Sequence, residues 1–108
     1  MNSFNVGDVA EEIPEDKHST ETVRTDNVSV EVMAFTPGDD DPMHSHHEDE
    51  VYQVVSGQGK LNVEGDSVDV GPGDVVHLEP GTEHQFHDFE GELVVTVLYG
   101  PAKHSDEQ

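Results

Sequence analysis

Clusters of turn residues divide the chain between Val28 and Tyr99 into short segments: Pro37-Gly38, Ser56-Gly57-Gln58-Gly59, Glu64-Gly65-Asp66, Gly71-Pro72-Gly73-Asp74 and Glu79-Pro80-Gly81-Thr82. Between them apolar residues recur at every second position, the period of a half-buried strand. Val28, Val30, Val32 and Ala34 alternate with Ser29, Glu31, Met33 and Phe35, and Leu61/Val63 and Val68/Val70 repeat the pattern. Glu50 to Val55 and Val75 to Leu78 are short β-rich runs, Phe86 and Phe89 occupy the next, and Leu93 to Tyr99 is the most apolar of all. A helical period is absent from these segments. Such punctuation predicts an all-β chain, a sandwich or barrel of antiparallel strands. At 108 residues it is one domain with a thin core.

The ends carry less pattern. Residues 1–25 are expected to form an N-terminal arm, with Phe4, Val6, Val9 and Ile13 available to pair with a partner subunit, and Pro14 arguing against a long element. The barrel is expected over residues 26–100 and a loose acidic tail over 101–108.

Charge raises a rival to any folded reading. The chain has 25 acidic residues against 4 basic ones and a net charge of -21, a balance also seen in disordered chains. The regular order of strands and turns argues against disorder from about residue 26 to 100. The acids run from Asp8 to Glu107 rather than forming a tail. Acids spread over a surface nearly without lysine resemble the composition of salt-loving organisms, where molar salt shortens the Debye length to about 3 Å and screens self-repulsion. A halophilic archaeon is the expected source. Four cations, Lys17, Arg24, Lys60 and Lys103, cannot build a phosphate-binding face, so nucleic acid is excluded as a partner. No segment has the length and apolarity of a membrane span or the form of a signal peptide, so a cytoplasmic location is expected. Without cysteine, a metal site must use His nitrogen and carboxylate oxygen.

One stretch concentrates such groups: Met43-His44-Ser45-His46-His47-Glu48-Asp49-Glu50. In an extended chain His44 and His46 share a face and His47 points away. If the strand continues, Glu50 returns to the side of His44 and His46. Two imidazoles and a carboxylate on one face suit a borderline divalent metal. A single histidine in an acidic segment is more often merely solvated; the H-x-H-x-x-x-E grouping between glycines argues otherwise.

The whole stretch reads Gly38, five residues, His44, one residue, His46, three residues, Glu50, six residues, Gly57. It resembles the first motif of the cupin superfamily at every fixed position. The run Gly73-Asp74-Val75-Val76-His77-Leu78-Glu79-Pro80-Gly81-Thr82-Glu83-His84 resembles the second, with Gly73, Gly81 and His84 in place. Glu79 stands where that motif has proline, with Pro80 one residue later, and Asp88 where asparagine is common. The resemblance covers roughly residues 28 to 99. It implies a jelly-roll β-barrel of two antiparallel sheets with one metal inside one end, and His44, His46, Glu50 and His84 as its ligands. Four protein ligands on a six-coordinate metal leave two open positions for water, dioxygen or a bidentate substrate. Iron(II) and manganese(II) lead as the cofactor, with nickel, zinc, cobalt and copper as alternatives.

Tyr52, His77, Phe86 and Asp88 are candidates for the pocket wall: Tyr52 and Phe86 share strand parity with Glu50 and His84, His77 lies on the short strand Val75 to Leu78, and Asp88 is in phase with His84. His47 and His87 are out of phase and expected in solvent. Two function classes follow from the resemblance. One is a metal-dependent enzyme on a small molecule, such as a dioxygenase, isomerase or lyase. The other is a non-catalytic binding or sensing module with a structural metal. No Arg or Lys adjoins a motif residue, which favours a neutral or metal-chelating ligand. A homodimer is expected, as small domains of this family commonly pair.

Overall fold

The computed structural model describes residues 1–14 and 16–103. The elements are α1 (Val6–Glu12), β1 (Ser19–Arg24), β2 (Ser29–Phe35), β3 (Asp49–Val63), β4 (Asp66–Val70), β5 (Val75–Leu78) and β6 (His84–Gly100). All strand pairs are antiparallel. The expected all-β jelly roll is therefore the fold, and its two layers come from two long strands.

Both β3 and β6 run through both layers. The first half of β3 pairs with the end of β6, Glu50 facing Tyr99 and Val54 facing Val95, while its second half pairs with the start of β6, Val63 facing His84. One layer is β1-β2-β6-β3-β5 and the other is β6-β3-β4. The change of layer falls where the register slips repeatedly, between Val54 and Lys60. Ser56 to Gly59 is thus not the turn that the sequence suggested but a bulged bend inside one strand. Gly57 explains it. Its φ of 79° is left-handed, and a Cβ there would lie 2.1 Å from the Glu92 carbonyl oxygen. Only glycine lets β3 and β6 approach this closely while turning the corner. On β6, Asp88 (φ 53°) and Gly91 (φ 67°) bend the partner, which joins the Phe86/Phe89 and Leu93–Tyr99 runs into one strand. The two-residue turn Glu64-Gly65, both at positive φ, closes the β3–β4 hairpin tightly.

Inward residues fill the barrel. Phe35, Tyr52, Val54, Leu61, Leu78, Phe86, Leu93, Val95, Val97 and Tyr99 form one buried cluster. The other face of the larger sheet is covered by α1. Asn5 caps this helix, its side chain accepting from the Asp8 N–H at 3.0 Å, and Pro14 follows its end. Val6, Val9, Ala10 and Ile13 pack on Val32, Ala34 and Val94. Of the apolar residues read as an arm, Val6, Val9 and Ile13 are therefore used on the chain's own sheet, which itself begins at Ser19, while Phe4 stays exposed. The tail is held at its start: Ala102 is buried, and the Lys103 N–H donates to Ser29 Oγ at 2.8 Å. Residues 104–108 of that expected tail lie outside the described residues.

Candidate functional site

The site forms where the two motifs meet across the barrel mouth. His44 and His84 are directly opposed and exchange both backbone hydrogen bonds, at 3.0 and 2.9 Å. Opposed residues of an antiparallel pair point to the same side, and the two rings lie 4.3 Å apart, centre to centre. The Gly81 N–H donates to the His46 carbonyl at 2.7 Å, tying the loop before β6 to the same segment. Asp41 completes the clamp: its Oδ2 accepts from the Phe86 N–H at 2.8 Å and its carbonyl from Gln85 Nε2 at 2.9 Å. The chain from Asp41 to His46 is thus laid along β6 by backbone bonds at His44 and by side-chain bonds of Asp41 and Gln85, not by a continuous strand. It bends at His47 and Glu48 before β3 starts at Asp49, so Glu50 reaches the cluster from β3 and not by the uninterrupted alternation expected.

Ligand-type nitrogens of His44, His46 and His84 lie within 4.8 Å of one another. Glu50, 1% exposed, stands beside them, with its Oε1 at 3.5 Å from His84 Nε2 and 4.0 Å from His46 Nε2. The Tyr52 hydroxyl donates to Glu50 Oε1 at 3.0 Å and lies 3.0 Å from His84 Nε2. Ring orientation is set from behind. His44 Nδ1 is 2.6 Å from the Pro42 carbonyl and His84 Nδ1 is 2.9 Å from the Thr82 carbonyl. A carbonyl only accepts, so Nδ1 carries a proton in both rings, and Nε2 is the nitrogen turned to the cluster. Backbone carbonyls commonly hold metal-binding histidines in this way.

Electrostatics follow from burial and these contacts. Burial alone would raise the Glu50 pKa; hydrogen bonds and charge from His84, with His46 and Tyr52, hold it below the usual carboxylate range. Burial opposes a charge on His84, but Glu50, the Thr82 carbonyl and Asp41 outweigh it and raise that pKa. Burial lowers the His46 pKa, with Glu50 working against it. Burial also pushes Tyr52 far up, so it remains a neutral donor.

Of the residues expected as ligands, the structure gathers His44, His46 and His84 into one cluster and sets Glu50 beside His46 and His84. Tyr52 and Phe86 lie just behind them, their rings in edge contact at 5.1 Å. His77 and Asp88 are elsewhere. His77 pairs with Val51 on the outward parity of β5, is exposed, and lies 2.9 Å from Asp49 Oδ1. Asp88 lies exposed at the bend in β6, in a groove of about 710 Å³ with Lys60, Asp69 and Asp74. His87 lies within 3.0 Å of Ser67 on the outer surface. The histidine cluster opens instead into a cavity of about 600 Å³, with Glu31, Met33, Phe35, Tyr99 and Lys103 in its wall. None of these five was singled out for the site from sequence. Both faces of β2 are apolar, one for the barrel and one for α1, so alternation did not reveal which face held Glu31.

A two-layered jelly roll with three imidazoles and a buried carboxylate inside one end defines a small barrel built around an internal polar site. The chain belongs to the cupin family: residues 31–99 match the family described as Cupin domain. An uncharacterised protein of Streptomyces coelicolor is 33% identical over 102 residues, covering 94% of this chain and 97% of that one. Among solved structures, the protein TT1209 from Thermus thermophilus superposes with a TM-score of 0.83 at 18% identity, covering 94% of this chain and 99% of that chain. KdgF from Halomonas sp. gives 0.71 at 24% identity, covering 77% of this chain and 76% of that chain. No helix among the described residues is long and apolar enough to cross a membrane.

Proposed function

We propose that His44, His46, His84 and Glu50 hold one divalent metal ion, and that the protein binds or acts on a small neutral or metal-chelating molecule in the adjoining cavity. The convergence of three imidazole nitrogens within 4.8 Å carries this reading. The donors fit: two rings have Nδ1 committed to carbonyls, and the carboxylate is held ionised. Iron(II) or manganese(II) suits such a nitrogen and oxygen set; nickel, zinc, cobalt and copper use the same donors. The metal would supply Lewis acidity and open positions for a ligand oxygen. Around it the chain's own groups bind and orient. Tyr52 fixes Glu50, the Pro42 and Thr82 carbonyls fix the rings, and the apolar wall of Met33, Phe35 and Tyr99 limits water. Dioxygenation, isomerisation and elimination are the reaction classes such a centre supports.

Three further readings accompany this one. The excess of 25 acids over 4 bases supports work at high salt, as in the cytoplasm of a halophilic archaeon. The curated relative comes from a Streptomyces. Membership of a family whose small domains commonly pair supports a homodimer.

The test is metal content by mass spectrometry on protein purified in high salt without chelator, beside His84→Ala and His46→Ala. One equivalent of metal in the wild type and its loss in either folded variant is the expected result. A metal-free wild type, or a metal retained in both variants, overturns the reading.

A further inference from the structure

The cavity that reaches the histidines has a second polar point. Glu31 lies on the inward face of β2, in line with Met33 and Phe35, and is 8% exposed. Lys103 lies past the end of β6 but is fixed in place. Its N–H donates to Ser29 Oγ, its carbonyl accepts from the Arg24 guanidinium, and Ala102 before it is fully buried. Its ammonium is 3.3 Å from Glu31 Oε2 and 5.2 Å from the centre of the Tyr99 ring. The other side of the relation is the cluster itself, since the Tyr99 ring meets the His46 ring edge-on at 5.4 Å. A partly buried ion pair is a poor stabiliser, because desolvation offsets most of its attraction and apolar residues of like volume would serve as well. This one stands in the wall of the cavity, one ring away from His46.

We propose that the Glu31–Lys103 pair is a recognition point for a hydroxyl group of a neutral, multiply hydroxylated small molecule whose other oxygens reach the histidine cluster. This rests on the metal reading above and names its ligand class. The charge of the wall selects the class. An anion drawn to Lys103 meets the Glu31 carboxylate, and Asp16, Asp40 and Asp41 outweigh Lys17 in the rest of the same cavity wall. A cation meets the Lys103 ammonium. A hydroxyl satisfies both members at once, donating to Glu31 and accepting from Lys103. Burial and the nearby Glu31 and Glu50 charges keep the Tyr99 phenol neutral. The cavity, about 600 Å³, lies within the roughly 300–1,000 Å³ typical of small-molecule pockets.

The experiment uses zinc-loaded full-length protein in high salt and saturation-transfer NMR. The probes are glycerol, erythritol, xylitol and xylose, against glycerate and erythronate as hydroxy-acids of similar size. Zinc content and circular dichroism are recorded for the wild type, Glu31→Gln and Lys103→Met. The expected result is transfer to one or more neutral polyols in preference to the acids, weakened about tenfold or more in each folded variant with zinc content unchanged. Preference for the acids, equal polyol binding in the variants, or no probe bound by fully zinc-loaded protein overturns the proposal and leaves the metal site standing. A wild type that takes up no zinc strikes the metal reading itself. Either variant alone suffices if the other does not fold.

Discussion

Replacing Tyr52 by Phe removes one oxygen from the centre of the site and leaves the ring. The ring keeps its edge contact with Phe86, so no cavity of consequence opens. What changes is Glu50, which is 1% exposed and loses the donor 3.0 Å from its Oε1. Only when its ring is protonated does His84 donate in its place, through Nε2 at 3.5 Å, and it is less well placed. A buried carboxylate deprived of a charge-assisted hydrogen bond costs about 1.5–3 kcal/mol. In a domain of this size each kcal/mol moves Tm by roughly 4–8 °C, so metal-free Tyr52→Phe should melt on the order of 10 °C below metal-free wild type. Metal affinity should also fall, by about 10- to 100-fold, as for other groups that orient a ligand from behind. Differential scanning fluorimetry in chelator and competition titration with a coloured metal indicator measure the two effects. A variant that matches wild type in both would refute the role given to the hydroxyl and the charge state given to Glu50.

Three other outcomes follow from the geometry. In metal-free protein the depressed Glu50 pKa contributes stability that is present above its ordinary value of 4.5 and lost as pH falls through the lower folded value. The raised His84 pKa contributes stability that is present below 6.5 and lost as pH rises through the higher folded value. The Tm difference between wild type and Glu50→Gln should therefore be widest between about pH 4.5 and 6.5; a difference that does not vary with pH would show the two groups to be uncoupled. Salt should raise Tm steadily from low concentration to molar KCl, as repulsion among the 25 acids is screened, and a flat response would sink the high-salt reading. Gly65→Ala, at φ 89° with open space around it, should cost about 1–2 kcal/mol by chemical denaturation. Gly57→Ala should cost clearly more, because its Cβ would meet the Glu92 carbonyl at 2.1 Å; equal losses would mean that the two strands do not approach so closely.

Much of the barrel was legible because its strands alternate and its turns carry glycine and proline. The places where reading failed have identifiable causes. At Ser56–Gly59 glycine signals either a turn or a bulge, and only the Glu92 backbone across the way decides for the bulge. Helix α1 was written in the spacing of Val6, Val9, Ala10 and Ile13 between the Asn5 cap and Pro14, but so short a helix depends on the sheet it covers. Strand β1, Ser19–Arg24, is a polar edge strand with no apolar alternation to announce it. At the site, the motif spacing picked out His44, His46 and His84, which cluster, and Glu50, which lies beside His46 and His84, although the parity reasoning assumed a strand where the chain bends. Parity also placed Tyr52 and Phe86. It failed for Asp88 because the β6 bend resets the count, and proximity to the motif misled for His77, whose side chain follows Val51 outward. Lys103 could not be found by motif at all, since it reaches the cavity by tertiary contacts with β1 and β2.

The pairing of His44 with His84 across the mouth bears on how the protein comes to exist. The donors lie on separate parts of the chain, and they meet only when β6 has closed against both halves of β3. On the metal reading proposed above, an unfolded chain retains only the local His44, His46 and Glu50 fragment, so its affinity for an ion would be a small part of the native one. Binding free energy is then delivered almost wholly to folding: about 2.7 kcal/mol when free metal is a hundredfold above Kd. During synthesis, His44, His46 and Glu50 emerge well before His84, and the nascent chain has pieces of the centre without a place to hold an ion. On the metal reading proposed above, metal acquisition by this barrel would in that sense be a folding event, sensitive to anything that delays the last strand.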